Sequence, residues 1–322
     1  SSVSGDTAIG IVLAFNTIGW DAQNFLFNTV DALFGTGIGS ENTSRVLAIA
    51  DGTSIETAGG ISVLAESTAD IRAHIENAAT AISAGLGSSD AITVAPVIAM
   101  NKVSTDVRAT ILNGAIVRAG NGDIAVAGTD ASSINAIVSA TALSVAAGVK
   151  DSKGISVGFS AARNEIRSDV EAYIRSSGSA ATPVEAVNGR VLVTVDREAE
   201  IISTGTATAV AVAASAQGGL AVSGGGTIAF NFILGGANAS IESSDVRAGG
   251  DIVITSSNHS LIDAFLSAVA AAVGVGGKST PAVAIGISVA RNQIGWRERE
   301  VAANHVSASA PTRLVTGDMV LI

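Results

Sequence analysis

The chain has 322 residues and a net charge of −10; it holds 36 glycines and no cysteine, and it is 48% hydrophobic yet only 3% aromatic. Four lysines and no basic run would repel a phosphate backbone, which excludes nucleic acid as a partner, and the absence of thiols excludes disulfide staples and thiolate metal sites. With burial left to Ala, Val and Ile, the composition calls for thin, closely approached layers in place of one thick core.

Two marks recur along the chain. One is an Asn followed two residues later by Ile or Val, at Asn16, Asn101, Asn164, Asn231 and Asn292; the other is a Gly opening a short β-like run, at Gly59, Gly122, Gly189, Gly250 and Gly317. Gly59 to Asn101, Gly122 to Asn164, Gly189 to Asn231 and Gly250 to Asn292 each span 42 residues, whereas the connectors from Asn to the next Gly run 43, 21, 25, 19 and 25. Length is held where registration matters. The reading is one elongated repeat array over 1–322, its modules stacked so that each buries its edges against its neighbours.

Residues 1–20 read as the tail of a preceding module ending in AFNTIGW, the counterpart of ARNQIGW at 290–296, and the opening SSVSGDTAIG reads as an excerpt from a longer array. Residues 21–44 break the pattern. Asp21 can cap a helix there, and Leu26, Val30, Leu33 and Phe34 form a stripe along it. Phe25, Phe27 and Phe34 make this segment a candidate interaction helix for another copy or a partner, against the plainer role of a helix packed on the flank.

Module 1 (45–111) has a strand after Gly59 and then an Ala-rich stretch in which Ile71, Ile75, Ile82 and Leu86 are spaced for a helix. Ser67 and Asp70 are placed there like a capping box, and Gly85 and Gly87 stand at the stop. A second strand carries Ile92, Val94, Pro96 and Ile98 into Asn101. In module 2 (112–174), Ile134, Ile137, Val138, Thr141 and Val145 suit a helix while ALSV also suits a strand; in module 3 (175–241), TATAVAVAASAQGG alternates as a strand would. Module 4 (242–305) places Leu261, Phe265, Val269 and Val273 at helical spacing behind Ser256-Ser257-Asn258, and then Val283, Ile285, Ile287 and Val289 before Asn292. Residues 306–322 begin another module. The expected fold is a parallel β-solenoid with one Ala-rich helix per module; the alternative is an all-β right-handed β-helix.

After each Asn the parity of the large apolar residues changes, as from Val289 to Ile294 across Asn292. That predicts a bulge or left-handed corner at the Asn, with its amide bonding the same amide one coil above.

No catalytic motif is present, so the chain reads as non-enzymatic. His74, His259 and His305 are scattered, and His259 with Asp263, four apart on the proposed last helix, is the nearest approach to an acid–base pair, without a nucleophile. GNGD at 120–123 and GGD at 249–251 resemble calcium-binding glycine turns in part, but each Asp follows its Gly directly and once per module. No cofactor is expected beyond calcium at those turns. Gly224-Gly225-Gly226 lacks the Lys-Ser/Thr of a phosphate loop. The most apolar stretch, Leu261 to Gly277, contains Asp263 and falls short of the ~20 residues of a membrane helix, so no membrane span is expected.

AIVRAGNGDIAVAG (115–128) and SSDVRAGGDIVITSS (243–257) resemble the repeats of filamentous-haemagglutinin-type β-solenoids and of very large bacterial surface or secreted adhesins. The resemblance implies a structural, adhesive segment of a fibre or stalk that is extracellular or on the bacterial cell surface. Its partners would be other copies of itself, adjacent modules of a longer chain, or surface glycans. The alternative is a carbohydrate-binding or polysaccharide-cleaving solenoid, which calls for aromatics and paired acids on one exposed face; Tyr173 is the one tyrosine.

Overall fold

The computed structural model describes residues 2–4, 6–20, 41–295, 302–307, 313–316 and 320–321. Among them there is no helix, and all the sheet pairings between strands are parallel. The chain passes through three sheets in turn. One circuit runs along Ile124–Gly148 in the first sheet, turns at Val149 and Lys150, and returns along Asp151–Arg175 in the second. It then crosses Val184–Ala186 in the short third sheet and re-enters the first as Val191–Ser215. Ladder partners in successive coils are 63, 67 and 61 residues apart. Leu112, Arg175 and Glu242, one per coil, are ladder partners.

Each circuit has two parts with different interiors. At one end the three sheets close a prism whose core is Val and Ile, including Val107, Ile111, Ile124, Val170, Val184 and Val191, all fully buried. Beyond it the two long sheets continue face to face as a flat fin lined by Ala79, Ala81, Ala91, Ala95, Ala142 and Ala146. The sheets of the fin lie so close that hydroxyl side chains of one reach the backbone of the other. Ser156 Oγ donates to the Ala142 carbonyl at 2.7 Å, Ser223 Oγ to that of Ala209 at 2.7 Å, and Thr93 Oγ1 to that of Leu143 at 2.8 Å. A Cβ placed on Gly154 would meet the Val212 carbonyl oxygen at 2.6 Å, and one on Gly225 would meet that of Val269 at 2.9 Å. Only small side chains fit between the layers.

The Ala-rich stretches expected to be helical are therefore strands, in every coil. In Asp70–Gly85 the residues alternate buried and exposed, with Ile71, Ala73, Ile75, Asn77 and Ala79 inside and Asp70, Arg72, His74 and Glu76 outside. An interval of four is even, so it keeps a residue on one face of a strand as well as on one side of a helix. Leu261, Phe265, Val269 and Val273 repeat every four residues and form the exposed outer row of Ile252–Gly276, not a buried stripe. The expected capping box is not one: Asp70 accepts from Ser133 Oγ of the next coil at 2.7 Å and pairs with Arg72 at 2.8 Å. Gly85 and Gly87 stand where the chain turns from the first sheet to the second.

The parity change at Asn has a different origin from a bulge. Through Ser89–Leu112 the inward positions remain the odd ones, Ala95, Val97, Ala99, Asn101 and Val103, without interruption. What changes is which face carries the bulk. In the fin the large residues are outside, with Ile285 56% and Ile287 59% exposed. Past the Asn the layers separate and Val103, Ile166 and Ile233 turn inward to fill the wider gap.

The close approach yields a paired prediction. Gly225→Val, inside the fin, should destabilise the protein by about 1–3 kcal/mol or more through overpacking. Gly224→Val on the outer surface, where a Cβ meets nothing within 4 Å, should leave thermal unfolding unchanged apart from a gain in strand propensity. Equal melting shifts for the two variants would contradict the packing.

Candidate functional site

The five asparagines lie at one register position in the second sheet, Asn16, Asn101, Asn164, Asn231 and Asn292. Each Nδ2 donates to the Oδ1 of the next at 2.8 Å, so a continuous ladder of side-chain amides runs along the coil axis. Asn164 also donates to Ser203 Oγ on the facing sheet at 3.1 Å. The asparagines sit in straight strand where the fin opens into wider core, and they are not corners. Gly19, Gly235 and Gly295, three or four residues past an asparagine, are left-handed with φ of 72°, 112° and 85°, but the left-handed corner shared by successive coils is at Gly52, Asn113, Ser176 and Ser243, with φ of 61°, 50°, 52° and 50°. There the chain leaves the second sheet for the third, and the amide N–H of Asn113 and of Ser176 bonds the next coil's carbonyl. Asn113-Gly114 and the serine pairs were the sequence signal for these turns.

Two of the glycine marks, Gly122 and Gly189, lie where coils touch backbone to backbone. A Cβ on Gly122 would meet Gly60 N at 2.6 Å, and one on Gly189 would meet the Gly122 carbonyl oxygen more closely still. Gly250 is looser, with Arg190 Cγ at 3.1 Å, and Gly59 has only its neighbour Thr57 at 3.8 Å. Gly317, with Phe25, Phe27 and Phe34, lies outside the described residues. At the turn suggested for calcium, Asp123 accepts from Arg190 N at 2.8 Å and from Arg190 Nη2 at 2.9 Å, so it serves a contact between coils. The backbone N–H and guanidinium of Arg190 hold its carboxyl below the usual range. Among the described residues no three His, Asp or Glu side chains converge as a metal site would need, and no helix is long and apolar enough to cross a membrane.

The remaining candidates do not come together. His74 pairs with the exposed Glu76 at 3.1 Å, and His305 lies in the strand Ala302–Ser307. His259 and Asp263 share the outer face of one strand, about 13 Å apart along it at ~3.3 Å per residue, with Glu198 and Ile202 as their ladder partners.

Two charged clusters went unnoticed in the sequence. At the junction of fin and prism, Ser67, Asp130, Arg197 and Asn258 occupy one inward register position of the first sheet. Arg197 is 1% exposed and is held by Ser168 Oγ at 2.6 Å, the Leu234 carbonyl at 3.0 Å, Asn258 Oδ1 at 2.9 Å and Ser260 Oγ at 3.2 Å. Burial pulls its guanidinium below the ordinary value, partly offset by Asp130 and Asp169.

On the outer face beside the asparagines, Glu165 is buried beneath a cover of cations. Arg167 Nε lies at 2.6 Å, Arg163 Nη2 at 2.9 Å and Lys102 Nζ at 3.9 Å. The Trp20 ring lies 4.2 Å from Lys102 Nζ and 5.2 Å from the Arg167 guanidinium, and Glu41 ties down Arg167 at 2.8 Å. Trp20 and Glu41 are bridged to each other and are the two feet of the 21–40 insertion. Burial alone would push the Glu165 carboxyl up; Arg167, Lys102 and Arg163 together override it and hold the carboxyl below its usual range. RNEIR at 163–167 alternates its charges at period two, which is the trace this cluster leaves in sequence.

Two predictions follow from these geometries. Asn164→Val leaves Asn101 Nδ2 and Asn231 Oδ1 buried without partners and should cost about 2–4 kcal/mol in denaturant unfolding, at roughly 1–3 kcal/mol per orphaned group. The half-buried end of the ladder, Asn16→Val, should cost less. For Glu165, a depressed folded-state pKa means that its contribution is complete above the unfolded glutamate value of about 4.3 and is lost as pH falls below it. Glu165→Gln should therefore flatten the fall in stability on acidification, and an unaltered pH profile would refute the ion cluster. Comparison of the chain with protein-family models, with curated proteins and with solved structures gives no match.

Proposed function

We propose that the chain is a structural, adhesive segment of a bacterial extracellular or cell-surface fibre, without enzymatic activity. The observation that carries this is the pairing itself: strands of all three sheets find their partners at the same register in the adjacent coil, so coils can be added without a change of interface. The location rests on the resemblance of the glycine-turn repeats to surface adhesins. The dimensions refine the reading. Strands of 25 residues make each coil about 80 Å broad at ~3.3 Å per residue, while each coil of 61 to 67 residues adds only ~4.8 Å along the axis. Such a coil is a poor way to gain length and an effective way to gain lateral surface, so adhesion through the broad sides fits better than service as a plain spacer.

The carbohydrate alternative has less support. Tyr173 has its ring face taken by Arg175 at 4.4 Å, and the Trp20 ring is taken by Lys102 and Arg167.

Proteins carrying two and four further copies of residues 124–190 should appear in electron micrographs as slabs thicker along the coil axis by about 10 and 19 Å, at unchanged breadth. Growth in breadth, or globular particles, would contradict the proposal. Binding on a glycan array that disappears with Tyr173→Ala would transfer the function to the carbohydrate alternative.

A further inference from the structure

The outer surface of the fin carries more apolar area than coil stacking requires. On the second sheet four consecutive outward rows, from the row of Ile155 and Val283 to the row of Ala161 and Val289, cross the coils. On the strands Ser89–Leu112, Asp151–Arg175, Gly218–Leu234 and Ala282–Ile294 every outward residue in these rows is Ile, Val, Ala, Phe, Pro or Gly. Val157 is 38% exposed and Ile285 56%. Charge returns only at the margins, with Lys153 toward the tip and Arg163 and Arg291 toward the prism.

We propose that two copies of this chain pack face to face through this outer surface of the second sheet. Five strands about 4.8 Å apart and some eight residues of ~3.3 Å give a flat area of roughly 600 Å² per copy. That is at the upper end of what a monomer leaves open, and the ~1,200 Å² buried by a pair reaches the range of stable interfaces. The surface is flat and unbroken by loops, and its β-branched side chains suit the ~10 Å spacing of aligned sheets. A symmetric pair needs no chemistry beyond what one copy presents, because the same patch serves both sides. A lipid bilayer fits less well, since exposed Asp90, Lys150, Asp151 and Lys153 at the tip would have to cross hydrocarbon. A sugar would find one side-chain hydroxyl within the four rows, that of Thr7 at the outer end of the first row, and no other hydrogen-bonding side chain.

The proposal deepens the structural reading and rests on it for the stacked coils, not for the cellular location. The test is sedimentation velocity over a wide concentration range. The chain as it stands should dimerise; Ile285→Lys should be monomeric with an unchanged β-sheet circular dichroism signal, and Ile285→Val should still dimerise. Val273→Lys, on the exposed outer face of the first sheet, should also dimerise. Val157→Lys replaces Ile285→Lys should the latter fail to fold. A wild-type chain that stays monomeric, or a dimer that survives Ile285→Lys or is lost with Val273→Lys, would overturn the proposal. So would a monomeric chain that floats with phosphatidylcholine–phosphatidylglycerol vesicles, which would give the face to lipid. Coil growth in the micrographs reads the stacking within each copy and is independent of this result.

Discussion

The structure depends on how closely the two long sheets approach each other in the fin. Backbone carbonyls of one sheet lie where a Cβ of the other would stand at Gly154, Gly158 and Gly225, and seryl and threonyl hydroxyls bridge the remaining gap. With the interior made mostly of Ala, Gly, Ser and Thr, and Ile75, Val97 and Val138 entering only near the asparagines, most bulky residues of the same strands have the outer face to occupy. Apolar content, exposed aliphatic rows and scarcity of aromatics all follow from that one spacing. Where the sheets separate, Ile and Val turn inward and a third sheet closes the prism.

The asparagine ladder stands at this transition and has a second role as a register device. Parallel strands lined with alanine have little in their packing to distinguish one alignment from a neighbouring one. A slip of one residue would place five amides on the wet face, and a slip of two would break their mutual bonds. The buried row of Ser67, Asp130, Arg197 and Asn258 acts in the same sense on the opposite sheet, since Arg197 finds its four acceptors in one alignment only. Buried charge is a weak source of net stability and a better source of uniqueness. The Glu165 cluster joins three successive coils, through Thr17, Lys102 and Glu165 at one register position, and anchors the feet of the 21–40 insertion to them.

The repeat was legible in the sequence because strand length cannot vary when every residue has a ladder partner: the 42-residue interval measures the first long strand, the turn at the tip and the return as far as the asparagine. Connector lengths vary because the segments between Asn and Gly cross the prism corners, where the ladder is interrupted. The helices were misread for a physical reason. Alanine is neutral to period, and Leu261, Phe265, Val269 and Val273 recur at four, which strand and helix share. The outward placement of those residues was not legible either, since it reverses the usual assignment of large apolar side chains to the interior. Asn113, Ser176 and Ser243 carry the true corners, and their turn chemistry was outweighed by the more conspicuous recurrence of asparagine. Around Glu165 only Arg163 and Arg167 are neighbours along the strand; Lys102, Trp20 and Glu41, like the partners of Arg197, come from other strands, and spacing along the chain shows them only after the register is known.

Parallel, in-register coils can be tested directly by spin labelling, for which a chain without cysteine is well suited. Thr141 and Thr208 are outward-facing ladder partners midway along the fin. Nitroxides attached to cysteines at these two positions should show strong dipolar broadening, as expected for adjacent strands about 4.8 Å apart. Sharp, uncoupled spectra from the double-labelled protein would mean that the coils do not stack in this register, and the close-packed fin would have to be abandoned.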